Sequence, residues 1–213
     1  MAIASLNKFT VPLKTNQSNP SQGLLMPKLK YRFRAFFENF GVGVGEKLEM
    51  TKQVESISRP NLNMNPFTID VYNSKVNLVG KPSWETVNVV LRDDASGSVA
   101  KIVGEQVQKQ FDFMEQSSAA SGIDYKFLLK FEVLDGASGN AATVLETWEL
   151  YGALLSQVNY GEMAYTESAP AQITLTVMYD NAIQTGYNGT KEGVGFASLA
   201  ARNIRGSVTN FST

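Results

Sequence analysis

Two adjacent carboxylates, Asp93 and Asp94, are the first residues whose type and spacing could do acid–base chemistry. A glycosidase needs two carboxyl groups about 5–9 Å apart across the scissile bond, supplied by separate elements. Neighbouring residues of a strand point to opposite faces, so this pair alone does not form such a site. We interpret Asp93 and Asp94 as the end of a strand that leads into a helix cap.

Carboxylates also flank Trp148, at Glu146 and Glu149. An exposed Trp beside carboxylates could bind a sugar, as in a carbohydrate-binding or adhesion sandwich. The pattern favours a core Trp beside solvent-facing Glu side chains. An exposed aromatic strip would be the sign of the adhesion alternative.

The chain contains no histidine and no cysteine. This excludes Ser-His-Asp and Cys-His catalysis, disulfides and thiolate-bound metals. Gly41, Gly43 and Gly45 do not have the G-x-G-x-x-G spacing, and no helix pattern follows them, so they indicate a hairpin or bulge loop. No EF-hand, phosphate-binding loop or other metal-ligand spacing occurs. We predict no enzyme activity, no cofactor and no metal site.

A basic row, Lys28, Lys30, Arg32 and Arg34, precedes Phe36. Cations beside stacking rings can follow a phosphate backbone, but most aromatic residues here lie on the opposite strand face. We interpret the row as a solvated face or a subunit contact. The 19 basic and 20 acidic residues nearly cancel, which is not the charge of a strongly nucleic-acid-binding domain.

The length of 213 residues fits one domain with extensions. Only 18% of the residues are charged and 17 are glycine, which suits a subunit that buries surface in an assembly, although an ordinary β domain has a similar composition. No apolar run reaches the roughly 18–20 residues of a membrane helix. The first residues lack a continuous apolar segment, so we expect no signal peptide.

The chain divides into a polar N-terminal arm (residues 1–26), a β domain (27–182) and a Gly-rich C-terminal arm (183–213). A period of two predicts strands over residues 29–37, 54–58, 84–91, 125–134, 145–155 and 172–180, and over 67–71 with its continuation through 75–79. Gly152 is a candidate bulge. Pro60 and Pro66 exclude a central strand over the connection 59–66.

One helix is predicted over residues 96–118, where apolar residues recur every three or four positions. Asp94, Ser96 and Ser98 are N-cap candidates, and Gly122 is the expected stop. The apolar stripe is Val99, Ile102, Val103, Val107, Phe111 and Met114. The predicted fold is mainly β: a β sandwich or barrel with one flanking α-helix and extended arms.

A series of motifs follows in fixed order across residues 27–182. An opening strand is followed by an Arg-Pro loop, by Asn-x-Lys-x-x-x-x-Gly from Asn73 to Gly80, and by a Trp-containing strand. The acidic corner, the helix and closing strands to Asp180 complete it. In this order the chain resembles the tail tube proteins of contractile-tailed bacteriophages. The resemblance implies a β sandwich with one helix, a fold shared with contractile bacteriocin tubes and with the ring-forming protein of type VI secretion.

The resemblance also implies a function and partners. Such subunits form hexameric rings whose sheets join into a continuous barrel, and the rings stack into a tube inside a contractile sheath. The lumen conducts DNA during ejection without binding it specifically. The implied partners are other copies, the sheath, and baseplate and tail terminator proteins, without membrane insertion of the subunit. The implied location is the phage tail of the virion, assembled in the host cytoplasm. A bacteriocin or injection-system tube is the main alternative, and a lytic tail enzyme is disfavoured by the missing catalytic residues.

Residues 59–79 match the family loop that reaches the adjacent ring. The expected inter-ring or subunit interface residues are Arg59, Pro60, Phe67, Ile69, Val71, Tyr72 and Lys75. A wall that passes DNA should be polar or acidic, because each fixed cation would retain phosphate. The lumen candidates are Asp93, Glu132, Gln172, Thr174 and Thr176. The basic residues Lys30, Arg32 and Arg34 are expected to face other protein.

Overall fold

The computed structural model describes residues 28–41, 47–119, 122–136, 142–166 and 168–186. The chain divides into two compact units, Met1–Tyr31 and Arg32–Thr213. Of the first unit, residues 28–31 are described, and those four form no helix or strand. The predicted arm 1–26 and residues 187–213 of the predicted C-terminal arm lie outside the described residues.

All described strands and helices belong to the second unit. The helices are α1 (Ser98–Gln110) and α2 (Gly122–Tyr125). The strands are β1 (Phe33–Glu38), β2 (Lys47–Glu49), β3 (Val54–Ile57), β4 (Leu62–Asn63), β5 (Phe67–Val71), β6 (Ser74–Leu78), β7 (Ser83–Trp84), β8 (Val87–Arg92), β9 (Phe111–Asp112), β10 (Ser117–Ser118), β11 (Phe127–Leu134), β12 (Val144–Asn159), β13 (Gln172–Met178) and β14 (Asn181–Thr185).

Eight strands form one hydrogen-bonded path in the order β2-β1-β11-β12-β13-β8-β3, with β14 also paired to β12. The 16-residue strand β12 divides this path into two sheets. Its first half pairs with β11 and β14, and these strands with β1 and β2 form sheet 1. Its second half, from residue 154, pairs with β13, and these two strands with β8 and β3 form sheet 2.

A bulge at Gly152 marks the point where β12 passes from sheet 1 to sheet 2. Phe127 pairs with Ala153 while Leu129 pairs with Leu150, so β12 carries one extra residue there. Gly152 has a φ of +66°, and a Cβ on it would lie 2.1 Å from a carboxylate oxygen of Asp180. Only glycine fits this backbone and this contact without strain, which confirms the predicted bulge.

The two sheets and α1 enclose one hydrophobic core. Alternate residues of β8, β11 and β13 are buried, as the period of two predicts. Phe37, Phe40 and Phe127 form an aromatic cluster, with ring centroids 4.9 Å apart for Phe37–Phe40 and for Phe40–Phe127. Val99 and Val103 of α1 are buried in the same core. The mainly β fold with a flanking helix is confirmed.

The predicted helix is too long at its C-terminal end. It ends at Gln110 because Phe111 adopts an extended backbone, and the Asp112 carboxylate accepts the N–H groups of Met114 (2.9 Å) and Glu115 (3.2 Å) in a local turn. Met114 is therefore 94% exposed rather than part of the buried stripe. Gly122, the expected helix stop, instead begins α2.

Several strand boundaries also differ from the sequence pattern. The strand β1 begins at Phe33 rather than at residue 29, and β12 continues to Asn159 rather than ending at residue 155. The predicted strand 84–91 is two strands, β7 and β8. The strand β14 pairs with β12 across residues 181–185, so it spans the predicted boundary at residue 182. It is only five residues long and its burial does not alternate, so it does not stand out beside the Gly-rich sequence that follows.

Candidate assembly surfaces

A hairpin made of β5 and β6 leaves every one of its strand residues exposed. The register places all its large apolar side chains on one face, and each of these is 41–49% exposed; this apolar face is Phe67, Ile69, Val71, Val76 and Leu78. A two-stranded hairpin is marginally stable alone in water, and a contiguous apolar face of this kind marks an interaction surface.

The opposite face of the hairpin is polar. The Thr68 hydroxyl donates to the Asn77 side-chain oxygen at 2.8 Å, and the Lys75 ammonium lies 3.5 Å from the Asp70 carboxylate. Both pairs are solvent-exposed, so they contribute little stability but hold the register. The hairpin is therefore amphipathic, with only one face that calls for burial.

Tyr72 is the tip of the hairpin. It is 99% exposed and has a φ of +46°, a left-handed conformation that is uncommon for a non-glycine residue. The Ser74 hydroxyl closes the turn by donating to the Val71 carbonyl at 3.2 Å. The turn thus presents a large aromatic ring at the point farthest along the hairpin.

The base of the hairpin is held by side chains and a short ladder. Leu62 of β4 pairs with Trp84 of β7. The Asn65 amide donates to the Ser83 hydroxyl at 3.1 Å, and Gly80 packs so tightly that a Cβ would lie 2.1 Å from the Asn65 carbonyl oxygen. These contacts fix where the hairpin leaves the body.

The seven predicted interface residues occupy different positions on this segment. Five of them belong to the hairpin, on its apolar face, its tip and its polar face. Arg59 is exposed at the base. Pro60 is buried within the chain itself, so it supports the base rather than the outer surface.

The outer face of sheet 2 brings together three predicted lumen residues. Gln172, Thr174 and Thr176 alternate with buried core residues along β13. Thr176 lies opposite Asn88, and Thr174 lies opposite Val90. The middle of this face is therefore uncharged, with hydroxyl and amide groups beside the apolar Val90.

The charged groups at the rim of this face are paired. Arg92 lies opposite Gln172, and its Nε lies 3.2 Å from the Glu55 carboxylate of β3. Gln172 donates to the same carboxylate at 2.8 Å. Glu55 thus offsets the positive charge that Arg92 brings to the face.

Glu132, another lumen candidate, lies on sheet 1 rather than sheet 2. It pairs in register with Arg34, and their side chains form an ion pair at 2.9 Å. Lys130 lies 3.4 Å from Glu132 and 3.5 Å from Glu149. Because Arg34 and Glu132 are joined, they face one common surface and cannot serve the two different surfaces expected from the sequence.

The Asp93-Asp94 corner supports a helix and performs no chemistry that the geometry shows. Asp94 accepts the Ser98 N–H at 2.8 Å and the Ser98 and Ser96 hydroxyls at 2.6 and 2.9 Å. These hydrogen bonds, that of the Ser98 hydroxyl first, lower the pKa of Asp94. Asp93, the remaining lumen candidate, accepts the Asp94 N–H at 3.0 Å and is half-buried at the end of β8.

Trp148 is buried in the core as expected, but the expectation of a solvent-facing Glu146 is wrong. Glu146 is two residues before Trp148, so both side chains point inward, and Glu146 is 2% exposed. It accepts hydrogen bonds from the Trp148 indole and from the Gln184 amide. Glu149, on the other face, accepts the Tyr151 hydroxyl and raises the pKa of Tyr151 to about 12.

Two glutamines of α1, Gln106 and Gln110, hold the helix to the rest of the fold. Gln106 is fully buried, accepts the Gly41 N–H at 2.9 Å and donates to the Tyr125 carbonyl at 2.7 Å. Gln110 donates to the Leu155 carbonyl and accepts the Leu155 N–H, both at 2.9 Å. Both lie on the same helix face as Val103, at i+3 and i+7, and this spacing could have predicted that they face the rest of the fold.

Across the described residues, no group of three or more Asp or Glu side chains could hold a metal ion. No described helix is long and apolar enough to cross a membrane.

Comparison with solved structures identifies the fold. A chain of the anti-feeding prophage baseplate, symmetrised sixfold, aligns with a TM-score of 0.59 and 11% identity over 76% of this chain and 98% of that chain. A chain of the cap that terminates the anti-feeding prophage tube aligns at 0.57 and 13% over 77% and 94%. At the level of sequence, no family model and no curated protein matches the chain.

A third match comes from an extracellular contractile injection system. A chain of the PVC sheath/tube terminator in its extended state aligns with a TM-score of 0.53 and 17% identity, over 77% of this chain and 100% of that chain. The fold is that of chains found in contractile, tail-like assemblies. The fold implied by the resemblance to tail tube proteins is thereby confirmed.

Proposed function

We propose that this chain is a structural tube subunit of a contractile tail or contractile injection system. Six copies form a ring, and rings stack into a hollow tube. The observation that carries the proposal is the amphipathic hairpin β5–β6 on a fold shared with chains of contractile assemblies. On a monomer the exposed apolar face of this hairpin would promote aggregation, and burial of that face in an assembly prevents it.

The hairpin is proposed to cover its apolar face against the adjacent ring. In such a contact the hairpin of one subunit meets a different patch of an identical subunit, so the interface is heterologous. Heterologous contacts generate rings or open stacks. Stacking by an extended arm gives each ring the same contact with the next. Residues 1–26 and the part of the C-terminal arm beyond β14 are proposed to contact neighbouring subunits or the sheath.

The lumen wall is proposed to be the outer face of sheet 2. Gln172, Thr174 and Thr176 on this face are uncharged, and Arg92 at its rim is paired with Glu55. A wall without unpaired cations lets a polyanion pass, because fixed cations would bind phosphate. Asp93 stands at the end of the same sheet, whereas Glu132 on sheet 1 leaves the list of wall residues.

Two versions of this role differ in cargo. A bacteriophage tail tube conducts DNA, and the particle is a virion. An injection-system tube belongs to an extracellular particle, and two of the compared structures are named as parts of the anti-feeding prophage. The neutral wall suits both, and in either case the partners are the sheath, the baseplate and a terminator.

Negative-stain electron microscopy of the purified protein tests the proposal. We expect sixfold rings or stacked tubes with an open centre, and light scattering should give hexamers or larger polymers. A protein that stays monomeric at high concentration, without filaments, would contradict a tube role.

A further inference from the structure

We propose that neighbouring copies join laterally by an antiparallel pairing of β3 in one copy with the last four residues of β12 in the next, and that the side chain of Gln110 sets the register of this joint. The inference rests on the proposed ring assembly. It adds which two edges meet, in which direction, and what stops them from sliding.

The side-chain amide of Gln110 lies beside Leu155 on β12. Phe127, at the start of β11, pairs with Ala153 of β12, so Leu155 is the next position on that side of β12. The chain before Phe127 forms α2 instead of extending β11. The Gln110 amide occupies the vacant position and makes the two hydrogen bonds to Leu155 that a strand residue would make. A further strand cannot pair at Leu155 while this amide is in place.

Each edge of sheet 2 keeps a short stretch that no other described strand pairs with. Beyond Leu155, β12 continues from Ser156 to Asn159, and no described strand other than β13 pairs with these residues. At the opposite edge, no described strand other than β8 pairs with β3. The two edges have the same length of four residues. Unpaired edges of this kind are templates for pairing with another chain.

The number of strands in sheet 2 fixes the relative direction of the two strands that meet. All neighbouring strands across sheet 2 are antiparallel. With four strands, β3 runs opposite to β12 of its own copy, and a rotation about the tube axis keeps strand directions. The edge β3 therefore meets β12 of the next copy in the antiparallel sense, and the alternation continues around a closed ring. An odd number of strands would have forced a parallel joint.

The proposed joint also brings together similar side chains on the outer face of sheet 2. Asn159, Thr174, Val90 and Ser56 lie side by side on the outer face, as the three registers show. Gln157 belongs to the same face and is exposed. Of the four residues in register, three are polar and Val90 is apolar, so joining β3 to β12 of the next copy continues one uncharged wall that is mainly lined by hydroxyl and amide groups.

Cysteine trapping tests the joint, and the natural chain provides a background without cysteine. Ser56→Cys is combined with Gln157→Cys or with Asn159→Cys, and assembled protein is oxidised. A disulfide forms only when the two Cα atoms lie within about 7 Å, so only cross-strand neighbours are linked. We expect one of the two pairs to give a ladder of linked chains up to a closed ring on denaturing gels.

Ser56→Cys with Glu49→Cys is the matched control, because Glu49 is an exposed residue of β2 at the other end of the strand path. This pair should give no more linked product than either single variant. Rings in the microscope without a ladder from either test pair would overturn the joint and leave the tube role standing. A protein that never forms rings would contradict both.

The role of Gln110 has its own readout. In the presence of Gln110, Ser56→Cys with Leu154→Cys should not link, because Leu154 precedes the blocked position. Gln110→Met keeps the side-chain length and removes the amide, so β3 of the next copy can slide toward Leu154 and this pair should now link. If Gln110→Met rings give the original linkage pattern, the amide does not set the register. Gln110→Ala is the second variant should Gln110→Met distort the core.

Discussion

Gly152 is the single residue on which the passage of β12 between the two sheets depends most directly. Alanine there would have to adopt a left-handed backbone and would collide with Asp180, whose carboxylate also pairs with Lys126 at 2.6 Å. We expect Gly152→Ala to destabilise the folded chain by about 2 kcal/mol or more. Urea unfolding followed by circular dichroism measures the change.

Gly104 provides the control for that substitution. It lies inside α1, and a Cβ on it would meet nothing within 4 Å. Gly104→Ala should therefore stabilise the chain by about 0.5–1 kcal/mol, since alanine is the better helix former. Equal effects of the two substitutions would contradict the special role of Gly152.

Asp94 makes the stability depend on pH. Its pKa is lowered from 3.8 by hydrogen bonds from Ser98 and Ser96, so the folded state binds its proton less readily than the unfolded state. The stabilisation is present above pH 3.8 and is lost as the pH falls through the lower folded-state pKa. We expect the stability difference between the natural chain and Asp94→Asn to shrink as the pH falls below 3.8. If urea titration gives a stability difference that does not change with pH, the charge of the Asp94 carboxylate is not what stabilises the fold.

At the scale of elements, a substitution in the hairpin β5–β6 should change assembly without changing the folding of the subunit. Val76→Asp places a carboxylate on the apolar face, where burial in an assembly would cost several kcal/mol. Val76 is 45% exposed in the free chain, so the fold should persist. We expect an unchanged urea midpoint and loss of long tubes in sedimentation and microscopy.

Asn77→Asp is the matched variant, because it adds the same charge to the polar face of the same strand. It should leave tube length close to that of the natural chain. Tubes of normal length from Val76→Asp would show that the apolar face is not covered by an adjacent ring.

Alternation predicted the strands of the core because each buries one face, and β11 shows the pattern over all eight residues. The end of α1 could not be predicted the same way. Phe111 and Met114 continue the helical spacing, yet the chain turns where Gln110 finds its partner on β12, 45 residues away in sequence. Long-range hydrogen bonds of this kind leave little trace in local periodicity.

The candidate surfaces were predictable to different degrees. The need of Phe67, Ile69 and Val71 for burial is visible in the sequence, since apolar alternation stands there beside Asn and Pro residues. The sequence does not show that Glu132 lies on a different sheet from Gln172, because this depends on which half of β12 each strand joins. Only the register places them on different sheets.

At the scale of the whole assembly, a lysine on the wall should hold a polyanion inside the tube. Thr174→Lys adds six charges to each proposed ring of six. Tubes assembled with an oligonucleotide at low salt should then retain DNA that resists nuclease. In a phage particle the same substitution should slow genome ejection.

Gln108→Lys adds the same number of charges on the exposed side of α1. We expect α1 to lie outside the proposed tube, so any DNA that Gln108→Lys binds should be digested. Equal nuclease resistance for the two variants, or none for Thr174→Lys, would place Thr174 away from the lumen.

The long strand β12 also has a mechanical consequence. Because it and the β13–β14 segment run through both sheets, a pull on the wall reaches the rest of the subunit along covalent backbone. The two sheets cannot shear past each other without breaking ladder hydrogen bonds on both sides of Gly152. In the proposed tube, a contracting sheath could then transmit a sudden axial load while each subunit moves as one body.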